Sequence, residues 1–326
     1  MPVLVAGALD SIGMPLRTRC LLVAGAVIGL AIFYGCSQSA TEAQGPTQPK
    51  PPLEFLGQWG VKGAGPGDLD DPVSIATDAL GNVYIADAGS QFIHKFDWQG
   101  TPLLSLTEDA LRHPQWISVD SDGVIYVSDP VRASIFVIYP GGEREAHREL
   151  RLRKRPSKEG FVSVAAGTSD LIYVLNSEGG KVEAFSPRFR LVESWTPSRS
   201  ADSGTHLGPI VMGPEGNLFI ANQHSSSILR FTDNGQLVSE LKLGNPAGGR
   251  LSSQFAVSRT SIFAMDADGR MLHVWANDGR PKHDQDLAPQ LGQAFRPAPA
   301  LAVSPKGELL VLDQPEARVL RYRINF

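Results

Sequence analysis

Cysteine is nearly missing from this chain: two in 326 residues, at Cys20 and Cys36. Beyond position 36 the chain therefore has no disulfide, no zinc knuckle and no thiol nucleophile. A domain of this length has core enough to stand without disulfides. An excess of charge of one sign is missing too. Thirty Lys and Arg stand against 34 Asp and Glu, a formal net charge of −4. That balance argues against general nucleic-acid binding, which needs a basic surface to displace counterions. No segment shows a sustained helical period with caps, which argues against a helical array. G-x-S-x-G, H-E-x-x-H and phosphate-cradling glycine loops do not occur.

What is present begins with one apolar run. Arg17 and Arg19 precede CLLVAGAVIGLAIFYG (20–35). A basic segment followed by an apolar stretch of this length reads as a signal peptide, and the stretch is short for a membrane-spanning helix. Met14 is a plausible start, since the signal would then open MPLRTR. The run ends at Gly35-Cys36, which resembles a bacterial lipoprotein signal, although Phe33 and Tyr34 depart from the usual Leu and small residue. The resemblance implies cleavage after residue 35 and lipidation of Cys36. An uncleaved anchor helix and ordinary secretion are the alternatives. Next comes SQSATEAQGPTQPKPP (37–52), with no aliphatic residue larger than Ala. It cannot bury enough apolar area to offset its ordering entropy, so 36–52 is expected to be a flexible tether.

From residue 53 the chain repeats. The units contain NVYIAD (82–87), VIYVSD (124–129), LIYVLN (171–176), NLFIAN (217–222), SIFAMD (261–266) and ELLVLD (308–313). Their third residues lie 42, 47, 46, 44 and 47 apart. A period near 45 matches a four-stranded propeller blade. Before each run lies a turn rich in Gly, Asp, Asn, Ser or Pro, such as DALGN (78–82) and GPEGN (213–217). These residues supply positive φ or preset turn dihedrals. Nine residues after the terminal Asp or Asn comes an aromatic: Phe96, Phe185, Phe231, Trp275 and Tyr322, with Tyr139 ten on. The second strands are apolar on both faces, so each small sheet must be sandwiched between neighbours. The sixth unit stops after its third strand. LEFLGQWG (53–60) has the character of the missing fourth and is expected to close the ring. The fold class is therefore all-β: a six-bladed β-propeller over 53–326, its last blade completed by an N-terminal strand.

FLGQWGVKGAGPGDLDDPVSIATDALGNVYIADAGSQFIHKF resembles an NHL repeat in its glycine-rich lead-in, its P-x-x-I-A-x-D segment and its V-Y-I-A-D core. HPQWISVDSDGVIYVSDP (113–130) repeats it, and the later units are degenerate. The resemblance spans about 53–326 and implies a six-bladed propeller; it carries little about activity, since such propellers host enzymes, binders and scaffolds.

The recurrent acids Asp87, Asp129, Asn176, Asn222, Asp266 and Asp313 are spread over all six units. They do not converge on one substrate, and Asn cannot serve as a base. They read as Asx turn residues. Seven residues before each turn lie Asp71, His113, Gly160, His206, Leu251 and Pro297, just ahead of the innermost strands. Amidating lyases among NHL propellers look like three-histidine zinc sites built from alternate blades. Here His113 and His206 share that register, but Pro297, beside Arg296, stands where a third ligand would. The Asp, Asn and Glu gathering of lactonase-type propellers is replaced mainly by apolar residues. Asp120-Ser121-Asp122-Gly123 and Asp266-Ala267-Asp268-Gly269 echo calcium loops without their distal ligands, and read as turns. No cofactor and no catalytic residue is expected; zinc and calcium are the ions the partial patterns would favour.

One charge run remains, GGEREAHRELRLRKRPSK (141–158), with seven Lys or Arg. RELRLRKR alternates as a charge-protected edge strand does. Arg151, Arg153, Lys154 and Arg155 are also candidate contacts for an acidic partner or lipid phosphates. The combined reading is an exported, lipid-anchored scaffold or accessory subunit of a cell-envelope complex, with envelope proteins as partners and no nucleic acid. With Ser37 after the Cys, the outer membrane is the default. A small-ligand binder and a metal-dependent lyase- or hydrolase-like enzyme are the alternatives.

Overall fold

The computed structural model describes residues 50–326 apart from 108–110, 140–146, 153–161, 167–169, 178–179, 198–206, 223–226, 244–250 and 292–298. Strand β1 (Leu53–Trp59) comes first. Blade one holds β2 (Pro72–Thr77), β3 (Val83–Asp87), β4 (Phe92–Phe96) and β5 (Pro102–Thr107). Blade two holds β6 (Trp116–Val119), β7 (Ile125–Asp129), β8 (Ser134–Ile138) and β9 (His147–Arg151). Blade three holds β10 (Val162–Ala166), β11 (Ile172–Asn176), β12 (Lys181–Phe185) and β13 (Leu191–Trp195). Blade four holds β14 (Leu207–Met212), β15 (Leu218–Asn222), β16 (Ser227–Phe231) and β17 (Leu237–Lys242). Blade five holds β18 (Leu251–Val257), β19 (Ser261–Asp266), β20 (Met271–Ala276) and β21 (Pro281–Asp286), followed by the single turn of α1 (Ala288–Leu291). Blade six holds β22 (Ala300–Val303), β23 (Glu308–Asp313) and β24 (Arg318–Ile324), and takes β1 as its outer strand.

The protein is thus an all-β, six-bladed propeller. Each sheet is antiparallel, and blades one to five run from the axis outward in chain order, while blade six runs β22, β23, β24 and then β1. The innermost strands β2, β6, β10, β14, β18 and β22 are neighbours around the axis. Among the described residues no helix is long and apolar enough to cross a membrane.

The chain folds this way because its middle strands have no wet face. In β3 and β7 every residue is buried. The core is divided into six clusters, one in each gap between adjacent blades. Tyr84, Ile93, Ile125 and Phe136 fill the gap between blades one and two. Phe263, Leu272, Leu309 and Tyr322 fill the gap between five and six. At roughly 25 cal/mol per Å² of apolar surface removed from water, every gap must be filled for the ring to hold.

Closure depends on β1. It pairs antiparallel with β24 from Leu53↔Ile324 to Trp59↔Val319, with a register shift between Phe55 and Gly57. Leu53 packs in the gap between blades five and six, and Trp59 in the gap between six and one. Arg318 locks the seam. Its Nε donates to Asp313 Oδ2 at 2.8 Å, one terminal nitrogen to Gln58 Oε1 at 2.9 Å and the other to the Gln290 carbonyl at 3.0 Å. Arg323 reaches Glu54 at 2.9 Å.

Two glycines let neighbouring blades approach. Gly100 (φ 90°) and Gly235 (φ 76°) sit in the turns before β5 and β17. Each lies under the Trp that ends the outer strand of the preceding blade. A Cβ at Gly235 would stand 2.6 Å from Trp195 Cδ2, and one at Gly100 would enter the Trp59 ring.

Deletion of residues 53–60 should leave blade six without its outer strand and abolish cooperative unfolding; an unchanged melting curve would exclude this closure. Gly100→Ala combines left-handed strain with overpacking and should destabilise by about 2 kcal/mol or more, read from denaturant midpoints.

Candidate functional site

The inner strand of a blade has one edge with no strand beside it, so its N–H groups need other acceptors. Serine hydroxyls supply them. Ser74 Oγ accepts from Ile117 N at 3.2 Å, Ser118 Oγ from Ala166 N at 3.0 Å and Ser163 Oγ from Ile210 N at 3.0 Å. Each bond crosses from one blade to the next. Thr77 Oγ1 donates to the Val303 carbonyl at 3.1 Å, linking blade one to blade six. This stitching was not foreseen from the sequence. Its signal is a small hydroxyl residue inside an otherwise apolar inner strand.

The stitched strands enclose a channel cavity of about 750 Å³. The apolar residue three before each turn lines its wall in every blade: Ile75, Ile117, Val164, Ile210, Phe255 and Leu301. The turns after the inner strands form one mouth, with Ser121, Pro214, Arg259 and Pro305 on its rim. The wall is mainly apolar, with hydroxyls, Asp120 and Arg259 among its polar groups.

The recurrent acids are wired into the backbone. Fully buried Asp87 accepts from Asp70 N at 2.7 Å, Asp71 N at 2.9 Å, Gly89 N at 3.0 Å and Ser90 N at 3.2 Å. Asp129 does the same for Arg112 N, His113 N and Arg132 N, at 2.8, 3.0 and 3.1 Å. They tie the lead-in of the inner strand to the following turn, a wider role than the turn reading gave them. Asp266 accepts from Arg270 N and Met271 N at 2.7 and 3.1 Å. Asp120 accepts from Asp122 N and Val124 N, at 3.0 and 2.9 Å. These two calcium-like stretches therefore turn carboxylates onto their own loops. Asp78 and Asp120 also accept from Tyr84 and Tyr126 hydroxyls at 3.0 and 2.9 Å. Burial first, and then the adjacent carboxylate, pushes both tyrosines above their ordinary range, so they remain donors.

His113 stands exposed at the opposite mouth, close before β6. His206, Arg296 and Pro297 lie outside the described residues, so the His113–His206 register is not joined into a site. Leu251 already belongs to β18 rather than preceding it. Among the described residues no group of three or more His, Cys, Asp or Glu is placed to hold a metal ion. Arg151 ends β9, the outer strand of blade two. Its side chain is 80% exposed, with Nε 3.4 Å from Glu149. Arg153, Lys154, Arg155 and Cys36 lie outside the described residues.

A second histidine pair emerges only in the structure. His94 and His273 follow the strand-end acids of blades one and five by seven residues, a spacing visible in the sequence. His94 is 1% exposed, with Nδ1 2.9 Å from Ser105 Oγ and Nε2 3.8 Å from Asp87 Oδ2. His273 Nδ1 lies 2.7 Å from Asp284 Oδ1. Ser105 and Asp284 occupy the same place in the outer strand, so the pair fastens third strand to fourth. Burial holds the His94 imidazole below its ordinary range, outweighing the opposite pull of Asp87 and Asp68.

No family model matches the chain, and no curated protein sequence matches it. Solved structures with the same fold do. A streptogramin B lyase aligns with a TM-score of 0.58 at 14% identity, over 84% of this chain and 97% of that one. A catalytically inactive virginiamycin B lyase from Staphylococcus aureus, solved with quinupristin, aligns at 0.57 and 14%, over 79% and 83%. The β-propeller domain of Myceliophteria thermophila Cps50 (Swd1) aligns at 0.58 and 10%, over 84% and 100%. At such identities the likeness is one of fold.

Asp87→Ala leaves four backbone amides without their acceptor and should cost about 3 kcal/mol or more, with Asp87→Asn intermediate, measured by denaturant unfolding. His94 makes a pH-dependent contribution. Its folded value lies below the unfolded one, so its contribution is intact above about pH 6.5 and is lost as the pH falls below it. The wild type should therefore lose more stability than His94→Asn between about pH 7 and pH 5; parallel pH profiles would refute this.

Proposed function

We propose that this chain is an exported, membrane-tethered propeller, anchored through lipidated Cys36, that serves as a protein-interaction scaffold or accessory subunit in a cell-envelope complex. One observation carries the reading. The outer strands of blades three and four expose large apolar side chains: Leu191 (40%) and Val192 (57%) on β13, and Leu237 (41%) and Val238 (50%) on β17. Outer strands also have a free hydrogen-bonding edge, so the same rim can receive an added strand and grip its side chains. Blade two continues this rim with Arg151 and Arg148, the latter 3.5 Å from the Pro187 carbonyl beside β13. With the Arg153–Arg155 run of the sequence, these favour a partner that is apolar with an acidic flank. Support for an NHL-type assignment remains the repeat pattern of the first two blades. Outer-membrane placement rests on Ser37 alone.

The lyases among the structural neighbours keep a second reading open, a metal-dependent lyase-like enzyme using the sequence pair His113 and His206, of which His113 stands at the mouth opposite the turns.

Val192→Lys combined with Val238→Lys should abolish co-purification of envelope partners while changing stability by no more than about 0.5 kcal/mol. An unchanged set of co-purifying proteins would remove this rim from consideration. Metal analysis of the purified chain should find no stoichiometric zinc. Stoichiometric zinc that disappears in a His113→Ala, His206→Ala double variant would establish the second reading instead.

A further inference from the structure

The two faces of the ring differ. In blades five, six and one, the face formed by the turns after the inner and third strands carries a contiguous group of exposed apolar side chains and cations. Leu80 is 80% exposed, Phe326 39% and Trp98 38%. Lys306 Nζ stands 4.0 Å from the centre of the Trp98 ring, and Lys282 Nζ 4.9 Å from that of Phe326. The group is continuous. The stem of Lys306 lies against the turn at Gly81, beside Leu80. Ile324 N donates to the Gly307 carbonyl at 3.2 Å, bringing the Phe326 segment to the Lys306 turn. Asn325 then donates to Pro52 O from its backbone and to Pro51 O from its side chain, both at 2.9 Å.

The acids within this sector are engaged. Asp278 lies 2.7 Å from Arg280 and Glu308 3.0 Å from Arg321. Asp97 accepts from its own turn amides at Gln99 and Thr101, both at 2.8 Å. Lys50, Arg259, Lys282 and Lys306 are exposed and, among the described residues, have no carboxylate partner. On the same face blades two and four carry Asp122 and Asp233, with Glu215 3.2 Å from Arg230, and blade three exposes Arg188 and Arg190, which lie across the axis from the point where Lys50 joins the ring.

Cations beside Trp, Phe and Leu are the set that settles at a bilayer interface: the rings and the leucine enter the headgroup boundary while the ammonium groups meet phosphates. The chain that precedes the propeller arrives at this same place, because Lys50 adjoins Pro51 and Pro52 beside Asn325. Thirteen residues, 37–49, separate it from Cys36. Fully extended they reach no more than about 50 Å. A ring held so close meets the membrane at high effective concentration, and the sector nearest the tether meets it first.

We propose that this sector, with Leu80, Trp98, Phe326, Lys282 and Lys306 at its centre, docks on the anionic headgroups of the membrane that holds the tether. The inference rests on the tethered reading above. It sets the orientation of the ring: the turn-side channel mouth faces lipid, while His113 and the opposite mouth face away. The outer edges of blades three and four stay free for protein partners.

The test uses the full chain with a protease site placed between Gln44 and Gly45, incorporated into phosphatidylcholine vesicles containing about 30% phosphatidylglycerol. After tether cleavage, the propeller should remain with these vesicles and leave them at about 0.5 M salt or from phosphatidylcholine alone. Lys282→Glu with Lys306→Glu should lower retention at least about tenfold, and Trp98→Ala should lower it severalfold. Circular dichroism and melting of each variant should match the wild type. Complete release of the wild-type propeller from anionic vesicles would overturn docking, and so would charge-reversed variants retained as well as wild type. A chain that stays soluble before cleavage refutes the tether instead; docking is then read by adding the same chain to preformed vesicles.

Discussion

The fold depends on one constraint: no blade can leave a face wet. In β3 every side chain is buried, although β-strand geometry sends alternate residues to opposite sides. A sheet built from such strands needs a neighbour on each side. Six of them satisfy each other only when the ring is closed, because an open ring would leave two apolar faces in water. The seam in blade six therefore controls all six cores. Its strength comes from β1, a strand contributed from the far end of the chain, and from the grip of Arg318 on Asp313, Gln58 and the Gln290 carbonyl.

Closure creates a second problem, which polar side chains solve. Each inner strand has an edge with no strand beside it, and each lead-in must bend sharply onto the axis. Ser74, Ser118 and Ser163 meet the first need by accepting amides of the next blade. Asp87 and Asp129 meet the second by gathering amides on both sides of the strand end. These donors satisfy the buried Asp87 side chain, since an unsatisfied polar group in such a place would be costly. Ser74, Ser118, Ser163, Asp87 and Asp129 thus serve the ring itself.

Much of this was legible before any coordinates. The period, the turn chemistry and the doubly apolar strands specify blades, and a sixth unit short of one strand specifies the role of 53–60. These are local signals, carried by residues a few positions apart. The serine stitching was not legible, because it joins positions more than forty residues apart, such as Ser74 and Ile117. Neither were the His94–Ser105 and His273–Asp284 fastenings, whose partners meet only through strand register. Strand starts drift between blades, so that Leu251 falls inside β18 while Trp116 begins three residues after His113. Counting back from a turn locates a strand better than it locates a mouth.

The distribution of surface character then separates roles that composition alone could not. A net charge of −4 describes the chain as a whole and hides a ring whose sectors differ. Cations and aromatic rings gather where Lys50 brings the tether to the propeller, and exposed aliphatic residues line the outer edges of blades three and four, as Leu103 and Leu104 do on blade one. The two patches answer different physics. Lys306 over Trp98 suits a boundary between water and lipid, where one end of each side chain stays hydrated. Val192 and Val238 sit on strands with a free backbone edge, where a protein segment adds hydrogen bonds that lipid cannot. A tethered ring can use both at once only if the membrane-facing sector and the partner-facing rim lie on different sides. Blades five, six and one are set across the axis from blades two, three and four, so the geometry satisfies that condition.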